Sequence, residues 1–283
     1  MIIYDFFRDD TIIAGFSERS GGVSPIPDKS LNLSFSREPY GNRENVLENY
    51  RIAAGQLGVD PESITRMSQV HGRDILRVEA EHRGMGVMRE IAPELARHGF
   101  DGMITNVPGI TLSTTHADCT PVLLYDPDNR AIGAVHSGWK GTCLKIADEA
   151  VKRMTAEFGT RPEDLKAIIG PAISMAHFEV RRDVYDQFTE AFSGIDERTL
   201  NELIRKDAPV AGSVSGADND QKWHINMRGF VKLTLLGARL RPDNILDDDS
   251  CTFAQSSRFF SHRRDGGKAG AMAAFIFIKE HEK

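Results

Sequence analysis

One sulfur and two imidazoles in this chain, at Cys119, His71 and His136, form a donor set with a definite chemistry. A soft thiolate with two borderline nitrogens suits Zn²⁺, with a fourth position left for water when such a site is catalytic. A zinc ion so held is a Lewis acid and lowers the pKa of its water towards neutrality. The spacing itself carries little, because the three residues are far apart and no Cys-x-x-Cys or His-x-x-x-His pair joins them. Each has a plainer reading. His71, in Gln69-Val70-His71-Gly72, fits a surface or hydrogen-bonded histidine at a strand end. Cys119 and His136 also suit the nucleophile and base of a cysteine hydrolase.

His116 competes for the ligand role, three residues before Cys119. If Thr114 to Asp118 is extended, His116 and Asp118 point to one side and Cys119 to the other. A turn there removes that argument, and a hydrogen-bonded structural histidine is an equal reading. Asp118 is open to three roles: orienting a ligand histidine from behind, acting as a base, or forming a turn.

The elements around these residues explain how they could meet. Pro121 to Tyr125 and Ala131 to Val135 are apolar runs joined by Asp126-Pro127-Asp128-Asn129, which predicts two buried strands and a turn. Cys119 then precedes one strand and His136 follows the next, at the same end of an antiparallel pair. Upstream, Ile2 to Phe7 and Thr11 to Phe16 read as a hairpin. Ser17 to Ser24 reads as a loop, whose Gly21-Gly22 backbone is also suited to an anion, with Arg19 beside it. Val46, Leu47, Tyr50, Ala53, Ala54 and Leu57 predict an amphipathic helix from Asn42 to Gly58.

Strands are expected at Ile64 to Val70, Arg73 to Glu79, Ile110 to Thr115, Leu165 to Ile169 and Ala271 to Ile278, and Asp101-Gly102-Met103-Ile104-Thr105 reads as a turn leading into a strand. Ala80 to Gly99 reads as a surface helix or lid. Further helices are expected from Thr142 through Phe158, at Asp183 to Phe192, Asp196 to Arg205 and Asn226 to Leu240. Ala208 to Asp220 reads as a loop. Helices and strands intermingle without a regular βαβ rhythm, so the fold class is α+β with mixed sheets rather than doubly wound.

Composition narrows the class. The chain has 283 residues, 40% hydrophobic and 27% charged, as in ordinary soluble proteins. A net charge of −6 argues against a nucleic-acid binder, which would carry a basic face. No apolar run approaches a membrane span, and the N-terminus lacks a signal-peptide pattern. Three scattered cysteines make no disulfide framework. The expectation is a cytoplasmic protein, monomeric or a weak homodimer, with no membrane or nucleic-acid partner.

Five ordered motifs then point to a family. Gln69-Val70-His71-Gly72, Asp101-Gly102-Met103-Ile104-Thr105, Thr115-His116-Ala117-Asp118-Cys119, Ala134 through Thr142 and Ile169-Gly170-Pro171-Ala172-Ile173 together resemble the YfiH family. Its members have been called laccase-domain or multicopper polyphenol oxidase proteins and, more recently, purine nucleoside phosphorylases. The likeness runs from Phe16 to Arg264 and implies one YfiH-like domain over residues 1–283. It implies a layered α/β/β/α fold and zinc at the positions matching here as His71, Cys119 and His136. It also implies phosphorolysis of adenosine, inosine, guanosine and methylthioadenosine, with adenosine deamination in the same pocket.

Three segments depart from the family pattern. Cys-Tyr is replaced by His177-Phe178, Tyr-Arg-Arg by His262-Arg263-Arg264, and Gly-Arg-Met-Ala by Gly270-Ala271-Met272-Ala273. Substrate preference turns on such segments if they line the pocket. Phosphorolysis needs cations for phosphate, and Arg19, Lys140 and Arg264 are the candidates by charge and motif context, with Asp118 as a catalytic base. Multicopper chemistry needs on the order of ten histidines plus a cysteine, and this chain has nine histidines. A cell-wall precursor editing role is a further alternative the resemblance allows.

Overall fold

In the computed structural model, which describes residues 1–25, 30–36, 42–207 and 221–280, two sheets pack face to face with helices outside each. β1 (Ile2–Ile3) and β2 (Ile12–Phe16) form the expected hairpin, Ile2 opposite Phe16, though its first strand is only two residues long. The segment expected as a loop instead forms β3 (Ser20–Ser24). Gly22 allows close packing: a Cβ there would lie 2.4 Å from Asn49 Oδ1 and 2.5 Å from the Leu31 Cα. The N–H of Val23 donates to Asn49 Oδ1.

Helix α1 (Arg43–Leu57) starts at Asn42, whose side chain caps the Asn45 N–H, and ends at Gly58 with a φ of 71°. β4 (Ile64–Thr65) and β5 (Ile75–Arg77) are shorter than the apolar pattern predicts, because the chain between them leaves the sheets to form the His71 loop. The region expected as a surface helix or lid carries a short helix, α2 (Pro93–His98).

β6 (Gly102–Thr105), β7 (Thr111–His116), β8 (Thr120–Asp126) and β9 (Ala131–Ser137) follow. β8 and β9 pair antiparallel with Pro121 opposite His136, and every residue of both is buried. The helix expected after Thr142 is divided into α3 (Trp139–Cys143) and α4 (Ile146–Phe158) by Lys145, which has a φ of 57°. Then come β10 (Lys166–Ile169), β11 (Glu179–Val180), α5 (Arg182–Ala191), α6 (Glu197–Leu203), β12 (Ile204–Lys206), β13 (Trp223–Ile225), α7 (Met227–Gly237), β14 (Ile245–Asp247) and β15 (Met272–Ile278). The loop expected at Ala208 to Asp220 lies outside the described residues.

The first sheet runs β1-β2-β15-β7-β4 and the second β14-β10-β8-β9-β6-β5, both mixed. Phe16, Leu112, Leu123, Tyr125 and Ile276 fill the space between them. Tyr50 and Ala53 of α1 cover the outer face of the first sheet through Phe275. Ile146 and Val151 of α4, with Val231 and Leu235 of α7, cover the second through Val122, Val135 and Ile169. The order is therefore α/β/β/α, and burial of these side chains is the main stabilising force. A small third sheet, β11-β13-β12, packs with α5 around Phe188, Trp223 and Phe230.

Candidate metal centre

β8 and β9 bring Cys119 and His136 to one end of the second sheet. The loop after β4 brings His71 to the same place. One ligand atom from each of the three lies within 4.8 Å of the other two, with His71 exposed, Cys119 half-buried and His136 buried. Cys119 Sγ is 4.0 Å from His71 Nε2, and the two imidazoles meet edge to face with centroids 5.0 Å apart. A tetrahedral zinc would set sulfur and nitrogen about 3.6 Å apart, so a small inward movement suffices.

Asp101 organises the cluster from behind. Its Oδ1 is 2.8 Å from His136 Nδ1, which leaves Nε2 of that ring for the centre. The same oxygen accepts the His71 N–H, and Oδ2 accepts those of Val70 and Gly72. These bonds hold His71 at a φ of 59°, a conformation uncommon for a residue with a side chain. Burial opposes the charge on Asp101, but the His136 and backbone hydrogen bonds hold its carboxyl below the usual carboxylate range.

Cys119 and His136 each favour the charged form of the other. Burial works against the thiolate, yet the charge and hydrogen bonds of His136 and His71 bring Cys119 down to about 6. Burial likewise opposes the imidazolium, and the thiolate and Asp101 push His136 up to about 9. The thiolate is already in the form that a borderline divalent cation takes, whereas His136 must release the proton on its Nε2 as such an ion binds. Gly138 completes the cradle: a Cβ there would meet His71 Cδ2 at 2.7 Å and Cys119 Sγ at 3.3 Å.

The other singled-out residues sit differently. The chain turns at Asp118, with a φ of 88°, so the extended-strand argument for His116 does not apply. His116 lies outside the cluster, buried edge to face against Phe16. The Asp118 carboxylate accepts from Thr252 Oγ1, Ser261 Oγ and the Arg263 N–H, tying the C-terminal segment to the Cys119 turn. Arg264 commits its guanidinium to Asp265 and to the carbonyls of Thr252, Phe253 and Phe259. Arg19 donates to the Ser256 carbonyl and covers the Phe260 ring, while Lys140 is exposed beside Trp139.

A cavity of about 360 Å³ lies along this edge, lined by Trp139, Phe178, Glu179, Arg181, Asp183 and Arg263 among others. Trp139 directly follows Gly138, and Arg263 holds Asp118 through its N–H. Asp101, Gly138, Trp139 and Arg263 were not distinguished by the sequence reading, although the first three lie within the quoted motifs.

An α/β/β/α fold of mixed sheets carries, at one end of two central strands, a His–Cys–His cluster whose ligand atoms are close enough to hold a metal ion. The chain belongs to the family described as multi-copper polyphenol oxidoreductase laccase, whose model matches residues 13–279. It is 32% identical over 270 residues to the purine nucleoside phosphorylase YlmD of Bacillus subtilis, covering 95% of this chain and 89% of that protein. It is 31% identical over 281 residues to a purine nucleoside phosphorylase of Bacteroides thetaiotaomicron, covering 98% of this chain and 96% of that one. The crystal structure of the hypothetical protein YfiH of Bacillus licheniformis superposes with a TM-score of 0.81 at 29% identity, over 95% of this chain and 93% of the other.

Proposed function

We propose that this chain is a zinc-dependent purine nucleoside phosphorylase acting on adenosine, inosine, guanosine and methylthioadenosine, with adenosine deaminase activity at the same centre. The observation that carries the reading is the convergence of a cysteine and two histidines beside a cavity lined by two aromatic rings, two arginines and two acids. The names of the two relatives support the substrate class. A cavity of about 360 Å³ accommodates a nucleoside. Zinc held by His71, Cys119 and His136 would supply a Lewis acid and an acidified water.

The chain's own residues divide the remaining work. Trp139 and Phe178 offer faces for the purine ring. Lys140, Arg19 and Arg263 supply positive charge for phosphate. In phosphorolysis a phosphate oxygen bonds to C1′ of the ribose as the C1′–N9 bond breaks and its electrons leave with the purine. In deamination water adds at C6 and ammonia departs. Asp118 and Arg264, with their polar atoms engaged, serve as positioning residues that fix the Cys119 turn and the segment carrying Arg263.

A second reading rests on Asp101, His136 and Cys119 forming a relay of the kind that activates a nucleophilic thiol. The deciding experiment incubates the protein with adenosine, with and without phosphate, following adenine, inosine and hypoxanthine while metal is assayed. Phosphate-dependent release of adenine that is abolished by a chelator and restored by Zn²⁺ is expected. Activity that survives chelation and is lost on alkylation would establish the thiol reading instead.

A further inference from the structure

The small third sheet carries a second ligand cluster, distant in sequence from the first. Glu179 on β11, His224 on β13 and Asp207 just after β12 place one ligand atom each within 4.8 Å of one another. The sheet register produces this. Glu179 is directly opposite His224, and Arg205 opposite the other side of His224 sets Asp207 two residues further along the same face. The alternate face, with Val180, Trp223, Ile225 and Ile204, enters the apolar core, so these strands cannot slip without burying charge.

His224 is the informative member. It is only 9% exposed, and its Nδ1 lies 3.0 Å from the carbonyl oxygen of Met175. A carbonyl only accepts, so Nδ1 carries a hydrogen and Nε2 is left to face Asp207 and Glu179. Nε2 is 3.3 Å from Asp207 Oδ1. A charge-assisted hydrogen bond would draw the two to about 2.8 Å. Two ligands on one tetrahedral zinc stand about 3.4 Å apart. An imidazole whose far nitrogen is anchored on a backbone carbonyl is also the usual arrangement of a metal-bound histidine.

We propose that Glu179, Asp207 and His224 form a second divalent-cation site, selective for ions that accept one nitrogen and two carboxylate oxygens, such as Zn²⁺ or Mn²⁺. Lys222 sits 2.9 Å from Glu179 Oε1 and competes with the cation for that carboxylate, which has further lone pairs to offer. Occupation would pin β11, whose Glu179 also lines the cavity and accepts at its carbonyl from Arg263. The inference is independent of nucleoside chemistry.

Zinc and manganese binding to the full chain, by metal analysis after dialysis and by calorimetry, tests it. The wild type is expected to bind two equivalents of Zn²⁺. Cys119→Ala should keep one, and Cys119→Ala combined with His224→Gln should keep none. Lys222→Ala should tighten the remaining site of Cys119→Ala several-fold, and Asp207→Asn should weaken it at least tenfold. With Co²⁺, the site left in Cys119→Ala should show ligand-field bands without thiolate charge transfer. Zinc should raise the melting temperature of Cys119→Ala but not of the double variant. If Cys119→Ala binds no metal, or if His224→Gln and Asp207→Asn, folded by circular dichroism, leave its stoichiometry and affinity unchanged, the site does not exist.

Discussion

A single oxygen, Oδ1 of Asp101, links the two histidines of the centre: it lies 2.8 Å from His136 Nδ1 and 3.0 Å from the backbone nitrogen of His71. One carboxylate thus sets the orientation of a buried ring and the backbone of an exposed loop. Asp101→Asn preserves shape but removes the charge that favours a donating Nδ1. Metal affinity is expected to fall about 10- to 100-fold, the usual loss when such a partner is changed. Competition with a chromophoric chelator measures it, and an affinity equal to wild type would mean that Asp101 only supports the loop.

Gly138 offers a test of space rather than charge. Its φ of −71° is open to any residue, so Gly138→Ala brings no backbone strain of its own. The added methyl would press on His71 Cδ2 and Cys119 Sγ. The variant should fold with a melting temperature close to wild type while zinc affinity drops at least about tenfold, because the ligands must spread. Normal zinc binding in a folded Gly138→Ala protein would show that the three ligands do not close on one ion.

The parts of this arrangement that sequence makes legible are those with a long, unambiguous pattern. β8 and β9 are continuous apolar runs with a polar turn, and α1 has a full apolar stripe between Asn42 and Gly58. From these the meeting of Cys119 and His136 follows. The third sheet escapes such reading because β11, β12 and β13 have two or three residues each, too few for periodicity to appear. Asp101 before a strand looks like any turn-forming acid, since its partners lie in a loop 30 residues away and on a neighbouring strand. Arg263 and Arg264 are equivalent in charge and adjacent. Only the fold reveals that Arg264 clamps carbonyls while Arg263 lines the cavity.

Thiol reactivity separates Cys119 from Cys143. With Cys119 brought down to about 6 by its histidines, it is largely thiolate at neutral pH, whereas burial pushes Cys143 up to about 12. Iodoacetamide should therefore label Cys119 before Cys143 in metal-free protein, at a rate that rises through about pH 6 and levels off. Zinc should protect it by occupying the sulfur lone pairs. Peptide mapping gives the order, and labelling unaffected by zinc would remove Cys119 from the ligand set. Cys119→Ala should abolish metal at this centre and turnover together.

His116 should make the fold sensitive to acid. Burial, aided by the neighbouring charge of His136, lowers it from 6.5 to about 3, and among the described residues neither ring nitrogen has a hydrogen-bond partner. Between those values the unfolded chain binds a proton that the folded chain excludes. The contribution of neutral His116 is thus complete above about pH 6.5 and is lost progressively as pH falls towards about 3, with a ceiling of about 5 kcal/mol. Cys119 and Asp101, also depressed, lose stability in the same direction, so only a comparison isolates His116. His116→Phe keeps a ring against Phe16 and has nothing to protonate. Denaturant unfolding of chelated wild type and variant at about pH 7.5 and about pH 4.5 should show a smaller loss in the variant. Equal losses would mean that the ring at position 116 takes up a proton without disturbing the core.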